Sequence, residues 1–298
     1  MLVLDTINKT TIWGGTRLQK YGADPLNLHV GSLYTVAGNE ELSCTVLNGD
    51  FIGMTLCDVY RENRALFGYD RFDAFPLLIG LVDASCDLSI QIHPSDDYAR
   101  AHENAPFGKT ESWVFLEPPA SGSIVNGCRC DNEAELRARV EAGAWDEVID
   151  RLPVSKNDYV FVPTGTLHAL TAGCLVYEIQ QSTDVTYRFY DYDRVDAKGN
   201  RRPLQLEQAM DNIDLTKKSV AVPYEPDHDY DEPYYSTRRT AIRANYTNPH
   251  DVFECITLLS GNLMADSLYV TAGMSLIVLP HETITFTGEA DVMIARPV

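Results

Sequence analysis

Three short segments carry side chains whose types and spacing suit metal chemistry. In Ser89-Ile90-Gln91-Ile92-His93-Pro94 an amide and an imidazole stand two residues apart. On a strand, residues i and i+2 share a face, so Gln91 and His93 project together with Ser89 beside them, while Ile90 and Ile92 pack the other way. Alone, this pair reads as a hydrogen-bonded interior couple. Lys109 and Glu111 repeat the spacing at the head of the apolar run after Gly108, which alone reads as an ion pair at a strand entrance. In Val162-Pro163-Thr164-Gly165-Thr166-Leu167-His168, a strand enters a turn and the next strand begins with an imidazole. Together Gln91, His93, Glu111 and His168 offer two imidazoles, a carboxylate and an amide oxygen. Such mixed ligation suits zinc with an open position for water or substrate. Iron or manganese fits as well, so the donors do not fix the metal.

A fourth segment supplies charge. Glu178 is polar within the apolar run Leu175–Ile179, and Arg188 lies in Thr186-Tyr187-Arg188-Phe189-Tyr190-Asp191-Tyr192-Asp193-Arg194. A guanidinium buried among aromatics needs an anionic partner. Asp191 or an anionic ligand can fill that role, and the residues alone do not choose.

These side chains need a scaffold of strands. Apolar runs at Leu77–Val82, Leu88–Ile92, Trp113–Leu116, Tyr159–Val162 and Leu175–Ile179 are strand-length and bounded by turn residues. Helices are expected at Asn132–Ile149, interrupted by Gly143, at Asp96–Glu103 with Ser95 as its cap, and at Gln205–Asn212. The pattern is a mainly β barrel or sandwich with inserted helices. The stretch 222–235, VPYEPDHDYDEPYY, is acidic and proline-rich. Strand-like runs resume at Phe253–Leu259, Leu276–Leu279 and Thr283–Thr287. The sequence therefore predicts a metal-bearing domain at 1–215, an acidic, proline-rich linker at 216–240 and a smaller metal-free β domain at 241–298. A turn, an apolar strand and a proline recur at 156–163 and 272–280, with Thr285 where His168 would fall.

Composition narrows the partners. The formal charge of the 298-residue chain is -19, which disfavours nucleic acid and anionic membranes. A small anion remains compatible with a few local cations. No basic and apolar leader precedes the first strand, and no apolar run is long enough to span a bilayer. Seven irregularly spaced cysteines suit reduced thiols in a cytoplasmic protein. Oligomeric state is not legible.

The run FPLLIGLVDASCDLSIQIHPSDDYARAHENAPFGKTESW, from Phe75 to Trp113, resembles the core of type I mannose-6-phosphate isomerases. So does VFVPTGTLHALTAGCLVYEIQQSTDVTYRFYDYDR, from Val160 to Arg194. Ile12-Trp13-Gly14-Gly15-Thr16-Arg17-Leu18 and Arg202-Pro203-Leu204 resemble its short bacterial branch. The resemblance implies a cupin (jelly-roll) β-barrel with a second, smaller cupin-like β domain. It implies one zinc ion on Gln91, His93, Glu111 and His168, and interconversion of mannose 6-phosphate and fructose 6-phosphate through an enediol-type intermediate. Catalytic roles fall on Arg188, Glu178 and Lys109, and substrate-binding roles on Ser89 and Arg194, with Arg194 standing where longer relatives have lysine. The base is Glu178 or a metal-bound water. Gly31-Ser32-Leu33-Tyr34 departs from the family's Gly-Glu-x-Trp pattern. Two other classes fit a cupin: a catalytically silent regulator that binds a sugar or sugar phosphate, and an iron-dependent oxygenase.

Overall fold

Strands dominate the chain, and the helices are short insertions between them. The computed structural model describes residues 1–195 and 199–298. By contacts the chain forms two compact units. One comprises Ile12–Gly15 and Val82–Tyr224; the other comprises Met1–Thr11, Thr16–Leu81 and Glu225–Val298.

The first unit holds the residues singled out for chemistry. One antiparallel sheet has the order Tyr187–Tyr190, Ile90–Ile92, His168–Ala169, Ser123–Cys128, Ile149–Pro153. A second set of antiparallel strands has the order Ala221–Pro223, Asp158–Val162, Glu111–Glu117, Leu175–Gln181. Alternation along each strand divides the faces. Ile90 and Ile92 join Val125, Leu167, Tyr187 and Phe189 in a core that Leu136, Val148, Ala209 and Met210 of the inserted helices complete. Gln91 points away from that core. On the Glu111–Glu117 strand, Trp113 and Phe115 follow Glu111 along one face and pack with Ile124, Val160, Leu170 and Val176. A polar end thus rests on a dry floor.

Local chemistry sets the element ends. Ser95 caps Asp96–His102, its hydroxyl accepting from the Tyr98 N–H at 3.3 Å. The expected helix 132–149 divides into Glu133–Glu141, capped by Asn132, and Trp145–Val148, with Ile149 already in a strand. Gly143 lies in the break, where a weak helix former favours a stop. The Pro163–Thr166 turn closes with the Thr166 N–H donating to the Pro163 carbonyl at 3.2 Å. Its third residue, Gly165, has φ +83° and lies close to the Asn212 carbonyl, a place no side chain fits well.

In the second unit the long strands Glu254–Ala265 and Phe286–Pro297 pair along most of their length, with Tyr235–Ile242 on the far side of the latter. Ile256, Leu258, Val270, Leu276, Phe286 and Val292 fill its core. Leu2–Leu4 pairs with Ser275–Val278, Leu2 opposite Ile277. The contact grouping therefore does not follow the linear division 1–215, 216–240, 241–298: the first strand joins the sheet formed by the last. The region read as an acidic, proline-rich linker also contains paired backbone. Ala221–Pro223 adds to Asp158–Val162, and Tyr230–Asp231 adds to Tyr235–Ile242, because paired strands satisfy peptide groups that a bare linker would leave to water.

Candidate metal centre

Glu111 sits at the middle of a buried polar cluster. One carboxylate oxygen is 3.2 Å from His168 Nε2; the other is 3.6 Å from His93 Nε2 and 3.2 Å from Lys109 Nζ. The Gln91 amide nitrogen lies 3.3 Å from His93 Nε2 and 3.4 Å from His168 Nε2. Rotating that amide by half a turn presents its oxygen at the same place. The strand pairing explains the convergence. Gln91 stands opposite His168 on one neighbouring strand and opposite Arg188 on the other, so the three side chains form a row on one face.

Both imidazoles are oriented from behind. The His93 Nδ1–H donates to the Val185 carbonyl at 3.0 Å, and the His168 Nδ1–H donates to the Thr166 carbonyl at 2.8 Å. With Nδ1 committed to a carbonyl, Nε2 of each ring is the nitrogen turned toward Glu111 and the one that could ligate a metal. Burial, and then the Lys109 charge, push His93 well below the usual histidine range, which keeps the ring neutral. Burial raises the Glu111 carboxyl, but neighbouring positive charge, that of Lys109 first, outweighs it and holds the group well below the usual carboxylate range.

The donor set fits a divalent cation. Among the described residues both Glu111 oxygens are buried and make no hydrogen bond, an expensive state for an ionised group. The ligand atoms of His93, Glu111 and His168 lie within 4.8 Å of one another. Tetrahedral bonds near 2 Å imply ligand–ligand separations of about 3.3 Å, close to the spacings around Glu111. Among the described residues this is the only such grouping of three His, Cys, Asp or Glu side chains.

A tight backbone crossing fixes the Lys109–Glu111 strand entrance. The Lys109 N–H donates to the Pro94 carbonyl at 3.1 Å, and the Gly108 N–H donates to the Asp96 carboxylate at 2.8 Å. Gln181 ties both sides: its amide donates to Asp96 at 2.9 Å and accepts from the Thr110 N–H at 3.0 Å. Lys109 is thereby buried beside Glu111.

Glu178 pairs opposite Trp113 and shares its face with Glu111. The Trp113 indole N–H donates to Glu178 at 2.9 Å. Burial, and then the Glu111 charge, raise the Glu178 carboxyl to about 7, with Lys109 and Trp113 opposing. Arg188 donates to the Pro203 carbonyl at 2.8 Å, while its Nε is buried without a partner among the described residues. Asp191 does not take Arg188. Its carboxylate accepts from Arg194 and Arg202 instead.

Not every expected site residue joins the cluster. Ser89 is buried just before the Ile90–Ile92 strand, and among the described residues none of the cluster's polar contacts uses it. Arg194 is committed to Asp191 and to the Asp87 carbonyl. Sequence reasoning missed the orienting carbonyls of Thr166 and Val185, the Trp113 indole, and the pairing of Asp191 with Arg202. An indole two residues after Glu111, on the same strand face, was the one visible signal among these.

A sequence model for the phosphomannose isomerase type I catalytic domain matches residues 1–109. The probable mannose-6-phosphate isomerase GmuF of Bacillus subtilis (strain 168) is 40% identical over 215 residues, covering 72% of this chain and 68% of that protein. The mannose-6-phosphate isomerase ManA of the same organism is 39% identical over 214 residues, covering 72% and 68%. The crystal structure of the mannose 6-phosphate isomerase from Bacillus subtilis superposes with a TM-score of 0.86 at 29% identity, over 99% of this chain and 98% of that one.

Proposed function

Because the chain belongs to the type I mannose-6-phosphate isomerase family, we propose that it interconverts mannose 6-phosphate and fructose 6-phosphate at the Glu111 cluster. The observation that carries this reading is the convergence of two imidazoles, each held through Nδ1 by a backbone carbonyl, on a buried carboxylate that makes no hydrogen bond among the described residues, beside a buried lysine. Gln91, His93, Glu111 and His168 would hold one divalent ion, zinc in this reading. When bound, it supplies Lewis acidity to the sugar oxygens near C1 and C2.

The remaining work falls to the protein. Aldose–ketose exchange moves a proton between adjacent carbons through an enediol. Glu178 suits that task, since a carboxyl poised near neutrality both accepts and returns a proton. Trp113 holds one of its oxygens by a hydrogen bond, and the other would serve as the base. Lys109 and Arg188 bring positive charge to the face where an enediolate oxygen gathers negative charge. The apolar floor of Trp113, Phe115 and Val176 keeps bulk water from that face. Ser89 and Arg194 enter this reading as supports around the site. A cytoplasmic setting accords with seven cysteines that are all free thiols; no helix of the described residues is long and apolar enough to cross a membrane.

The test is a coupled assay of purified, metal-analysed protein. Mannose 6-phosphate should yield fructose 6-phosphate, and a chelator should abolish the conversion until a divalent metal is restored. Tight binding of the sugar phosphate without any turnover in metal-loaded protein would instead identify a regulator.

A further inference from the structure

Three guanidinium groups, of Arg188, Arg194 and Arg202, gather around a single buried carboxylate, Asp191, in a chain of formal charge -19. Asp191 is 4% exposed. The three arginines are not equivalent. Arg194 spends every nitrogen on the protein: Nε on the Asp191 carbonyl at 3.2 Å, Nη1 on the Asp87 carbonyl, and Nη2 on the Asp191 carboxylate at 2.5 Å. Its guanidinium also lies over the Tyr192 ring at 5.1 Å. Arg202 instead grips Asp191 with one edge only, Nε at 2.8 Å and Nη2 at 2.5 Å. Among the described residues its Nη1 has no hydrogen-bond partner, and the side chain is 25% exposed.

Arg202 is also tied to the row that carries the metal ligands. The next residue, Pro203, accepts a hydrogen bond from Arg188 Nη1. Arg188 stands opposite Gln91 on the adjacent strand. The Tyr187–Tyr190 strand shifts register between Arg188 and Tyr190, which lets Tyr190 pair with Ile90. Asp191 follows directly, so the anchor for Arg202 emerges next to the strand that bears Arg188.

We propose that Arg202, oriented by the bidentate grip of Asp191, supplies a guanidinium for the phosphate group of the sugar phosphate, and that Arg194 is a positioning residue that holds Asp191. This rests on the phosphosugar reading above and reassigns the substrate-binding role expected for Arg194. The chemistry is direct. A phosphate dianion takes paired N–H donors from planar guanidinium forks, and three cations around one carboxylate leave charge for it. A guanidinium whose nitrogens are all engaged has no donor to give, whereas one gripped on a single edge arrives oriented, with its other edge open.

The experiment is calorimetric titration of metal-loaded protein with fructose 6-phosphate and with inorganic phosphate, paired with steady-state kinetics. Arg202→Gln should weaken fructose 6-phosphate binding about 10- to 100-fold, the range for losing a charge-assisted hydrogen-bonding group. KM should rise by a similar factor with kcat within about threefold, the signature of lost uniform binding. Arg202→Lys keeps the charge but loses the fork, and should fall between. Asp191→Asn should raise KM with metal content unchanged, since it loosens the grip on Arg202. Wild-type affinity in Arg202→Gln, or a wild-type protein that binds no phosphosugar, overturns the proposal. Phosphosugar binding that depends on Arg202 in a protein with no turnover would retain it while removing the isomerase reading.

Discussion

Arg188 stands directly opposite Gln91 in the antiparallel pairing, and Gln91 in turn stands opposite His168. The row places a guanidinium, an amide and an imidazole on three neighbouring strands with their side chains on one face. Glu111 meets it from a strand of the other set, 3.2 Å from His168 Nε2. The centre is therefore assembled from strand register, and its integrity follows from backbone geometry as much as from the donors.

Removing a donor should empty the centre. His168→Ala deletes one inward lone pair and leaves Glu111 with a single imidazole neighbour. Metal affinity should fall by more than the roughly 10- to 100-fold that loss of an outer supporting group costs. Elemental analysis after dialysis should find about one divalent ion per wild-type chain and far less in the variant. Equal metal content would place the ion elsewhere.

Backbone crowding makes a separate prediction. A Cβ on Gly108 would stand 2.4 Å from the Pro94 carbonyl oxygen and 2.6 Å from the Asp96 nitrogen. Both contacts are backbone and belong to the crossing that sets Lys109 and Glu111. Gly108→Ala should cost about 1–3 kcal/mol, as overpacking does. It should also weaken metal binding, although residue 108 is no ligand. Thermal melts with and without metal will separate the two effects, and a variant with unchanged metal affinity would mean the crossing does not set Glu111.

Much of this centre was legible in the sequence because the strand period is two. Alternation put Gln91 with His93, and Lys109 with Glu111, on shared faces, and a turn with glycine set His168 at a strand start; each alone read as an ordinary pair, and only their combination and the family resemblance pointed to a ligand set. The helices at Asp96 and Leu206 carried ordinary signals. What alternation does not encode is which strands are neighbours. Nothing near Leu2 specifies Ile277 as its partner, so the first strand's place in the sheet of the second unit was hidden. The same holds for Asp191. Sequence proximity suggested Arg188, three residues away, but the register shift after Arg188 turns the carboxylate to Arg194 and Arg202. Within the stretch read as a linker, Val222 pairs with Tyr159, a partner that composition cannot reveal.

The second unit carries a buried carboxyl whose titration should show in stability. Glu254 is 2% exposed, and it accepts from the Tyr246 hydroxyl at 2.7 Å. Burial raises its carboxyl, with Tyr246, Arg238 and Arg296 opposing and Asp229 adding to the rise; His250 Nε2 lies 3.7 Å away. A folded pKa above the unfolded one means that the folded state holds the proton longer. The stabilising contribution is present below the unfolded value, about 4.3, and is lost as pH rises through the folded one. Glu254→Gln should keep the Tyr246 bond and escape this loss. Its melting temperature should exceed the wild type's at neutral pH, with the gap closing toward pH ~4. A gap that widens on acidification would show that Glu254 is stabilised as the anion.

Arg188→Ala tests whether charge on the Gln91 row serves chemistry or only folding. The guanidinium has lost its most obvious structural partner, since Asp191 is occupied by Arg194 and Arg202. Its one side-chain hydrogen bond to protein among the described residues is to the Pro203 carbonyl, and its Nε is buried unpaired. Burial, and then repulsion from Arg202 and Arg194, lower its pKa, so the folded state gains little from holding this charge. Truncation should therefore leave the melting temperature within a few degrees of wild type, or raise it slightly. Turnover is a different matter. A fixed donor aimed at a developing oxyanion is worth about 10²- to 10³-fold in kcat, and Arg188 sits in line with Gln91, where an enediolate oxygen would lie. Lysine at this position should recover part of the rate by charge alone, because it lacks the planar fork. Turnover, bound metal and melting temperature measured on one preparation decide between the roles. A variant that melts many degrees earlier yet keeps near-normal turnover per bound metal would assign Arg188 to the scaffold.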